Sequence, residues 1–247
     1  LIAEGSAVRR KWMDGIVSQF DRSYLEALMK YQRIIERRNA LLKQFYDSGF
    51  FEKDSIAVWD EQLVVLGEEI HQKRSSFVKD FLPVFHKYYA FIGAENESVE
   101  IEYRSQLNDH PFDKLLEMHQ RKDAQTQYTT SGTHKDDLIF TIQNNPVKKF
   151  GSQGQQKSFI IALRLAQFDW LNSHLGKKPV LMLDDIFDKL DANRVAKLVT
   201  LVSDNKFGQV LITDTDQERI DKLFQDTNIP YNMITVDQLT QKEVVYE

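Results

Sequence analysis

The chain has 247 residues, enough for one or two domains with a sizeable hydrophobic core. A hydrophobic fraction of 42% with only 10 Gly and 5 Pro excludes a disordered or collagen-like chain and favours a helix-rich fold. Because the sequence contains no cysteine, it excludes a disulfide framework, a thiolate metal site and a cysteine nucleophile. It has no apolar run of about 18 residues, so we expect a cytoplasmic protein that does not span a membrane.

Charge is distributed unevenly along the chain. The formal net charge is −5, yet residues 1–45 carry nine Lys or Arg against five acids, so this segment is +4 and the remainder −9. A basic segment in an acidic protein is compatible with contacts to a nucleic-acid backbone, although a helix of mixed charge is more often a solvated face. The candidates for such contacts are Arg9, Arg10, Lys30, Arg33 and Arg37.

The first third of the chain predicts helices. An amphipathic helix is predicted at residues 7–20, and a longer one from the N-cap candidate Asp21 to about residue 46. Apolar residues in the longer helix recur at alternating spacings of three and four, with Arg38 at the position where an apolar residue is missing. A turn at residues 47–49 leads to a similar pattern up to about residue 81, which predicts an antiparallel helical hairpin. Pro83 predicts a break before a short helix that ends near Gly93.

The pattern changes after residue 93, so we interpret residues 1–93 as a helical arm and residues 94–247 as a second domain. Strands are predicted at 99–103 and 138–142, with a helix at 111–122 between them. The order beyond Pro146 is helix 155–174, strand 180–183, helix 192–202, strand 209–213, helix 217–224 and strand 233–236. Strands that alternate with helices predict an α/β fold with a parallel sheet.

Two carboxylates follow the most apolar of these strands. Residues 180–183 are all apolar, and Asp184 and Asp185 come directly after them. Such a run suits a strand buried on both faces, and carboxylates at its C-terminal tip lie where open α/β sheets place ligands. The arrangement matches a Walker B element, in which one carboxylate holds Mg²⁺ at a nucleotide and the other activates water. The alternative is a strand that simply runs into an acidic loop.

A turn of small and polar residues precedes this strand in the sequence. It contains Ser152, Gln153, Gly154 and Gln155 and leads into an apolar helix, so its N–H groups and the helix dipole favour an anion. The turn is not a P-loop, because that motif requires Gly at position 156, where this chain has Gln. The alternative interpretation is a helix N-terminus capped by Ser152.

The turn, the apolar strand with two Asp residues and the following stretch 188–191 together resemble the ATP-binding-cassette heads of the SMC and Rad50 type. Residues 4–10, 24–28, 38–43 and 132–138 add to the match, which extends to about residue 215. The resemblance implies an ATPase head with a parallel-sheet lobe and an inserted antiparallel helical arm. It also implies that ATP joins two heads, because the turn of one subunit contacts the γ-phosphate of ATP held by the other. That role falls to Ser152, Gln153, Gly154 and Gln155.

The resemblance assigns further roles at the same ATP site. Asp184 would be the Mg²⁺ carboxylate and Asp185 the residue that polarises the attacking water. Asp188 and Asp191 would belong to the D-loop at the dimer interface, and Thr213 to the switch strand. Many heads have Glu where this chain has Asp185, and many have His in place of the residue after Thr213, so we expect slow hydrolysis.

One family feature is absent from the 247 residues. Heads of this type begin with a strand and a Walker A loop that cradles the β- and γ-phosphates, and the sequence contains no such loop. We expect that the N-terminal part of the head is not included in this chain. The chain by itself is then expected to bind ATP poorly, so the head is predicted to be incomplete.

The resemblance implies an ATP-gated DNA-binding protein of recombinational repair and replication restart. It would dimerise on ATP at double-stranded DNA near single-strand gaps or junctions, and help to load recombinase with RecR-like and RecO-like mediator proteins. An alternative from another class is a non-catalytic fragment whose helical hairpin docks a partner protein. His134 lies in one of the matching stretches without an assigned role, and we expect a structural histidine there.

Overall fold

The computed structural model describes residues 1–93, 97–184, 190–203, 207–225 and 231–235. The chain divides into two compact units, Leu1–Pro179 and Val180–Glu247. The helices that precede residue 93 thus share a unit with the strands and helices that follow as far as residue 179. The division of the chain at residue 93 into arm and head stays a prediction.

Three helices form the first part of the larger unit: α1 (Ser6–Phe20), α2 (Arg22–Ser48) and α3 (Lys53–Ile92). The Asp21 side chain caps α2 by accepting a hydrogen bond from the Tyr24 N–H, and α2 ends at Gly49, whose φ of 69° suits glycine. Arg74 donates a hydrogen bond to the Tyr24 hydroxyl, and Arg38 donates one to Asp60. The start of α2 thus contacts a later part of α3 than its middle does, so the two helices run antiparallel. The predicted hairpin is confirmed.

Helix α3 continues through Pro83, so the predicted break at this residue is wrong. Proline removes one backbone hydrogen bond from a helix interior. The helix persists because Phe81 and Phe85 on either side are 1% and 0% exposed, and Phe85 packs on Phe159 with ring centroids 4.7 Å apart. Burial of large aromatic side chains outweighs the lost bond.

An antiparallel sheet follows the hairpin: β1 (Val99–Arg104), β2 (Asp137–Ile142) and the short β3 (Asn145–Pro146). Val99 pairs with Ile142 at one end of β1 and Arg104 with Asp137 at the other. Helix α4 (Phe112–Thr126) lies between β1 and β2 in sequence, as predicted, whereas β3 was not predicted. Helices α5 (Val147–Phe150) and α6 (Gln153–Leu175) complete the unit, and α6 packs along α3.

The second unit contains the parallel strands β4 (Leu181–Leu183) and β5 (Val210–Ile212), with helix α7 (Ala192–Ser203) between them and α8 (Gln217–Gln225) after them. The parallel pairing and the crossover helix were both predicted. The strand predicted at 233–236 is wrong for 233–235, which have no partner strand among the described residues, and residue 236 lies outside them. No helix in the described ranges is both long and apolar enough to cross a membrane.

Candidate nucleotide-binding site

The turn at residues 151–155 is the N-terminus of α6. Ser152 Oγ accepts a hydrogen bond from the Gln155 N–H at 3.2 Å, and Gln155 Oε1 accepts one from the Ser152 N–H at 2.8 Å, which makes a capping box. A Cβ at Gly151 would lie 2.8 Å from the Val147 carbonyl oxygen, so glycine is required for this close approach. Capping by Ser152 is therefore confirmed. It leaves the positive end of the helix dipole at the surface, where an anion would be stabilised.

The four residues of the turn differ in exposure. Ser152 and Gln153 are exposed, whereas Gly154 and Gln155 are half-buried. Gln155 Nε2 donates to Glu97 Oε1 at 2.9 Å, and Glu97 also accepts from the Tyr89 hydroxyl at 2.6 Å. The Gln155 side chain thus holds the turn in place within its own subunit, and Ser152 and Gln153 remain exposed to solvent. Sequence analysis did not identify Glu97, which lies outside the motif.

Strand β4 buries only one of its faces. Leu181 and Leu183 are each 5% exposed, but Met182 is 74% exposed, so the prediction of a strand buried on both faces is wrong. Side chains alternate along a strand, and Met182 pairs with Leu211 of β5, which is also exposed. The described residues therefore cover one face of this sheet and leave an apolar face open.

Asp184 and Thr213 come together at the carboxyl ends of the two parallel strands. The Thr213 hydroxyl donates to Asp184 Oδ1, and the Thr213 N–H donates to the Leu183 carbonyl at 3.0 Å. Asp184 is exposed, and a carboxylate beside a hydroxyl offers the oxygen ligands that Mg²⁺ prefers. The described residues contain no group of three or more His, Cys, Asp or Glu that could hold a metal, so nucleotide phosphates and water would have to complete the shell. These two residues fit such a shared Mg²⁺ site.

The other predicted nucleotide contacts divide between described and undescribed residues. Asp185 and Asp188 lie outside the described ranges. Asp191 Oδ1 accepts from the Arg194 N–H at 2.9 Å and so caps α7, and its second oxygen lies 3.4 Å from Arg194 Nε. The local role of Asp191 is to start a helix, and its place at a dimer interface stays a prediction.

The five basic candidates fall into two groups. Arg9 binds both oxygens of Asp137 at 2.7 and 2.8 Å, and Arg10 Nη1 donates to the Asp136 carbonyl at 2.6 Å. These bonds tie α1 to the start of β2, and burial lowers the pKa of the Arg10 guanidinium. The remaining candidates are exposed on α2: Lys30, Arg33 and Arg37.

His134 is held by a hydrogen bond on each ring nitrogen. Nε2 lies 3.0 Å from the Thr129 carbonyl, which can only accept, so this nitrogen carries the proton and Nδ1 accepts from the Tyr31 hydroxyl at 3.0 Å. Burial lowers the pKa of His134 to about 4. A neutral imidazole with both nitrogens bonded is what a structural histidine requires, and it supports that expectation.

Sequence analysis missed how two buried arginines organise this unit. Arg38 is 0% exposed and donates to Asp60, Asp123 and Thr129 at 2.5, 2.7 and 3.0 Å. Arg74 is 3% exposed and donates to both Asp14 oxygens, the Thr133 carbonyl and Asp136. Both arginines stand at positions where the helical spacing calls for an apolar residue, and this departure from the pattern was the sequence signal for their burial. Together they anchor the segment 129–137 to the hairpin.

Comparison with known proteins shows which sequences and solved structures this chain resembles. No protein-family model matches the chain. Over 236 residues it is 47% identical to the DNA replication and repair protein RecF of Flavobacterium johnsoniae, covering 96% of this chain and 66% of the relative. It is 40% identical to the RecF of Phocaeicola vulgatus, covering 100% of this chain and 67% of that one. A solved structure of the recombination mediator protein RecF-ATP in the RecFOR pathway matches with a TM-score of 0.76 at 27% identity, over 88% of this chain and 60% of that chain.

The fold is therefore that of part of an ATP-binding-cassette ATPase head with a helical arm, as the motifs predicted. The matched region takes in the hairpin, the capped turn and the parallel strands. The chain belongs to the RecF family of DNA replication and repair proteins. It spans about two thirds of the length of the curated relatives that it matches.

Proposed function

We propose that the protein is an ATP-dependent DNA-binding protein of recombinational repair and replication restart. The observation that carries the proposal is the contact between the Thr213 hydroxyl and the Asp184 carboxylate at the carboxyl ends of β4 and β5. Open α/β sheets bind nucleotides at this edge. The family supports the same reading, since a relative of 27% identity was solved as RecF-ATP.

In this proposal the chain's own residues position the nucleotide and join two subunits. Asp184 and Thr213 would hold Mg²⁺, which when bound neutralises charge on the β- and γ-phosphates. Asp185 would orient the attacking water. The α6 N-terminus at Ser152 and Gln153 would bind the γ-phosphate of ATP held by a second subunit, with Gln155 fixed by Glu97 to keep the turn rigid. ATP would then stabilise a homodimer.

The dimer would bind double-stranded DNA near single-strand gaps or junctions and help to load recombinase with RecR-like and RecO-like partners. Phosphate contacts give such binding without base readout, so affinity should fall steeply as salt rises. The exposure of Lys30, Arg33 and Arg37 is compatible with such contacts, whereas Arg9 and Arg10 already bond to acceptors within the protein. The contact residues stay a prediction.

The experiment is light scattering of the full-length protein with and without ATP, beside DNA affinity under the same conditions. Ser152→Asp is the informative variant, because aspartate caps a helix as well as serine does but places a negative charge at the γ-phosphate. We expect ATP to dimerise the parent and not Ser152→Asp, while the two unfold at the same urea concentration. Ser152→Thr, which keeps the cap and adds no charge, is the control and should still dimerise.

Asp185→Asn tests hydrolysis in the same assay. If Asp185 polarises the attacking water, the variant should remain dimeric for longer after ATP is added, because the nucleotide survives. A molar mass and a DNA affinity that do not respond to ATP would overturn the proposal. That result would favour the alternative of a non-catalytic fragment that acts through its hairpin.

A further inference from the structure

A groove lies between α2 and α3 on the helical hairpin. Its volume is about 520 Å³, within the range of about 300–1,000 Å³ that is usual for ligand sites. Apolar side chains form its walls, namely Ile34, Trp59, Val65 and Leu66. Val65 is 67% exposed, so much of this apolar surface faces solvent.

The α2 side of the groove carries positive charge. Lys30, Arg33 and Arg37 line it, and the Arg37 guanidinium lies 5.3 Å from the centre of the Trp59 ring. The lining residues contain these three cations and one carboxylate, Glu61. The groove is therefore both apolar and positively charged, and its occupant should have apolar side chains and carboxylates.

The exposed apolar wall of the groove favours a protein over a nucleic-acid duplex. Val65 lies in the groove lining with the cations and is 67% exposed. A duplex offers phosphates and sugars at its backbone and would leave such apolar side chains without an apolar partner. An amphipathic peptide would cover them.

We propose that this groove binds an acidic amphipathic segment of a partner protein. Aliphatic or aromatic side chains of the segment enter between Trp59 and Val65, and its carboxylates pair with Arg33 and Arg37. All residues that line the groove belong to α2 and α3, and none of them belongs to the nucleotide site, so this binding needs no ATP.

The test measures fluorescence anisotropy of a short labelled peptide on the 247-residue chain. The peptide has Leu at one helical face and Glu elsewhere, and two control peptides replace Leu by Ser or Glu by Lys. We expect the acidic amphipathic peptide to bind and both controls to fail. A labelled DNA duplex and a labelled single strand are titrated in parallel.

Matched variants locate the binding. Val65→Asp and the pair Arg33→Glu with Arg37→Glu should each weaken peptide binding about tenfold or more, since they remove the apolar wall or reverse the charge. Val58→Asp, at an exposed α3 position that does not line the groove, and Lys43→Glu with Lys53→Glu, which changes the net charge equally, should leave it unchanged.

Two results would overturn the proposal. One is a peptide that does not bind, or that binds the groove variants and the control variants equally. The other is DNA binding that Val65→Asp and the Arg33, Arg37 pair abolish while the peptide shows no affinity, because the groove would then be part of a nucleic-acid surface. All substituted positions are exposed, so circular dichroism is expected to show unchanged folding.

Discussion

Replacing Arg38 by methionine should be among the most damaging single substitutions in the hairpin. The guanidinium is fully buried and donates to Asp123, which is also 0% exposed, at 2.7 Å. Methionine keeps much of the side-chain volume but leaves Asp123 as a buried charge without its cation. Removing one partner of a buried ion pair typically costs about 3–5 kcal/mol, a large share of a total stability of about 5–15 kcal/mol.

The structure indicates which partner accounts for most of this loss. Asp60 is 23% exposed on its side chain and can turn toward water, so its share is small. Asp123 is fully buried and cannot turn toward water, although the Thr130 N–H and hydroxyl still donate hydrogen bonds to it at 2.9 and 2.6 Å. Asp123→Asn should therefore destabilise less than Arg38→Met, because Arg38 keeps Asp60. The double variant should lose less than the sum, since it leaves no buried carboxylate without a cation.

Urea denaturation of the chain, followed by circular dichroism, measures these differences. Arg22→Met is the matched control on the same helix: the Arg22 side chain is 92% exposed and pairs only with Glu26 in the described ion pairs, so its loss should stay within about 0.5 kcal/mol. The reasoning is refuted if Arg38→Met unfolds at the same urea concentration as Arg22→Met. It is equally refuted if the two single losses simply add in the double variant.

Three further predictions concern pH, backbone strain and helix capping. Burial lowers the pKa of His134 to about 4, so as the pH falls the unfolded chain takes up the His134 proton at a higher pH than the folded chain does. The free energy of unfolding should therefore be highest above about pH 6.5 and should fall by up to about 3 kcal/mol toward pH 4. His134→Gln should flatten this part of the pH profile of urea denaturation, and an unchanged profile would contradict the assignment. Gly132→Ala should lower the free energy of unfolding by more than about 2 kcal/mol, because φ is 122° and a Cβ would lie 2.6 Å from the Phe112 ring. Gly15→Ala is the control: Gly15 lies in open space within α1, so this substitution should stabilise the protein by about 0.5–1 kcal/mol. Ser152→Ala removes the side chain that caps α6 and should lower the free energy of unfolding by about 1 kcal/mol, measured by thermal or urea unfolding. Ser152→Thr keeps a capping hydroxyl and should lower it much less.

Local signals predicted most of the elements, because caps and periodic apolar residues act over a few residues. Asp21 marks the start of α2 in both sequence and structure, and α2 ends at Ser48, two residues after the predicted end. The parallel order of β4 and β5 followed from the intervening helix. The sequence could not predict that α3 continues through Pro83, because the compensating contact with Phe159 comes from a distant segment. The exposure of Met182 escaped prediction for a similar reason: an apolar run does not reveal whether one face of its sheet is covered or both.

The basic residues show where sequence pattern stops informing function. Arg9 and Arg33 are both arginines of the same positively charged segment. Arg9 nevertheless pairs with Asp137, 128 positions away in the sequence, whereas Arg33 lines an exposed groove. The charge of a segment thus predicts a positive surface but not which cations form it, because some cations form ion pairs with residues that are distant in the sequence. Of the five basic candidates, the three without such pairs in the described part of the chain line the same groove as Trp59 and Val65: Lys30, Arg33 and Arg37. Apolar neighbours of this kind favour a protein-docking groove over a phosphate-binding face. The parallel titrations of peptide and DNA test this choice.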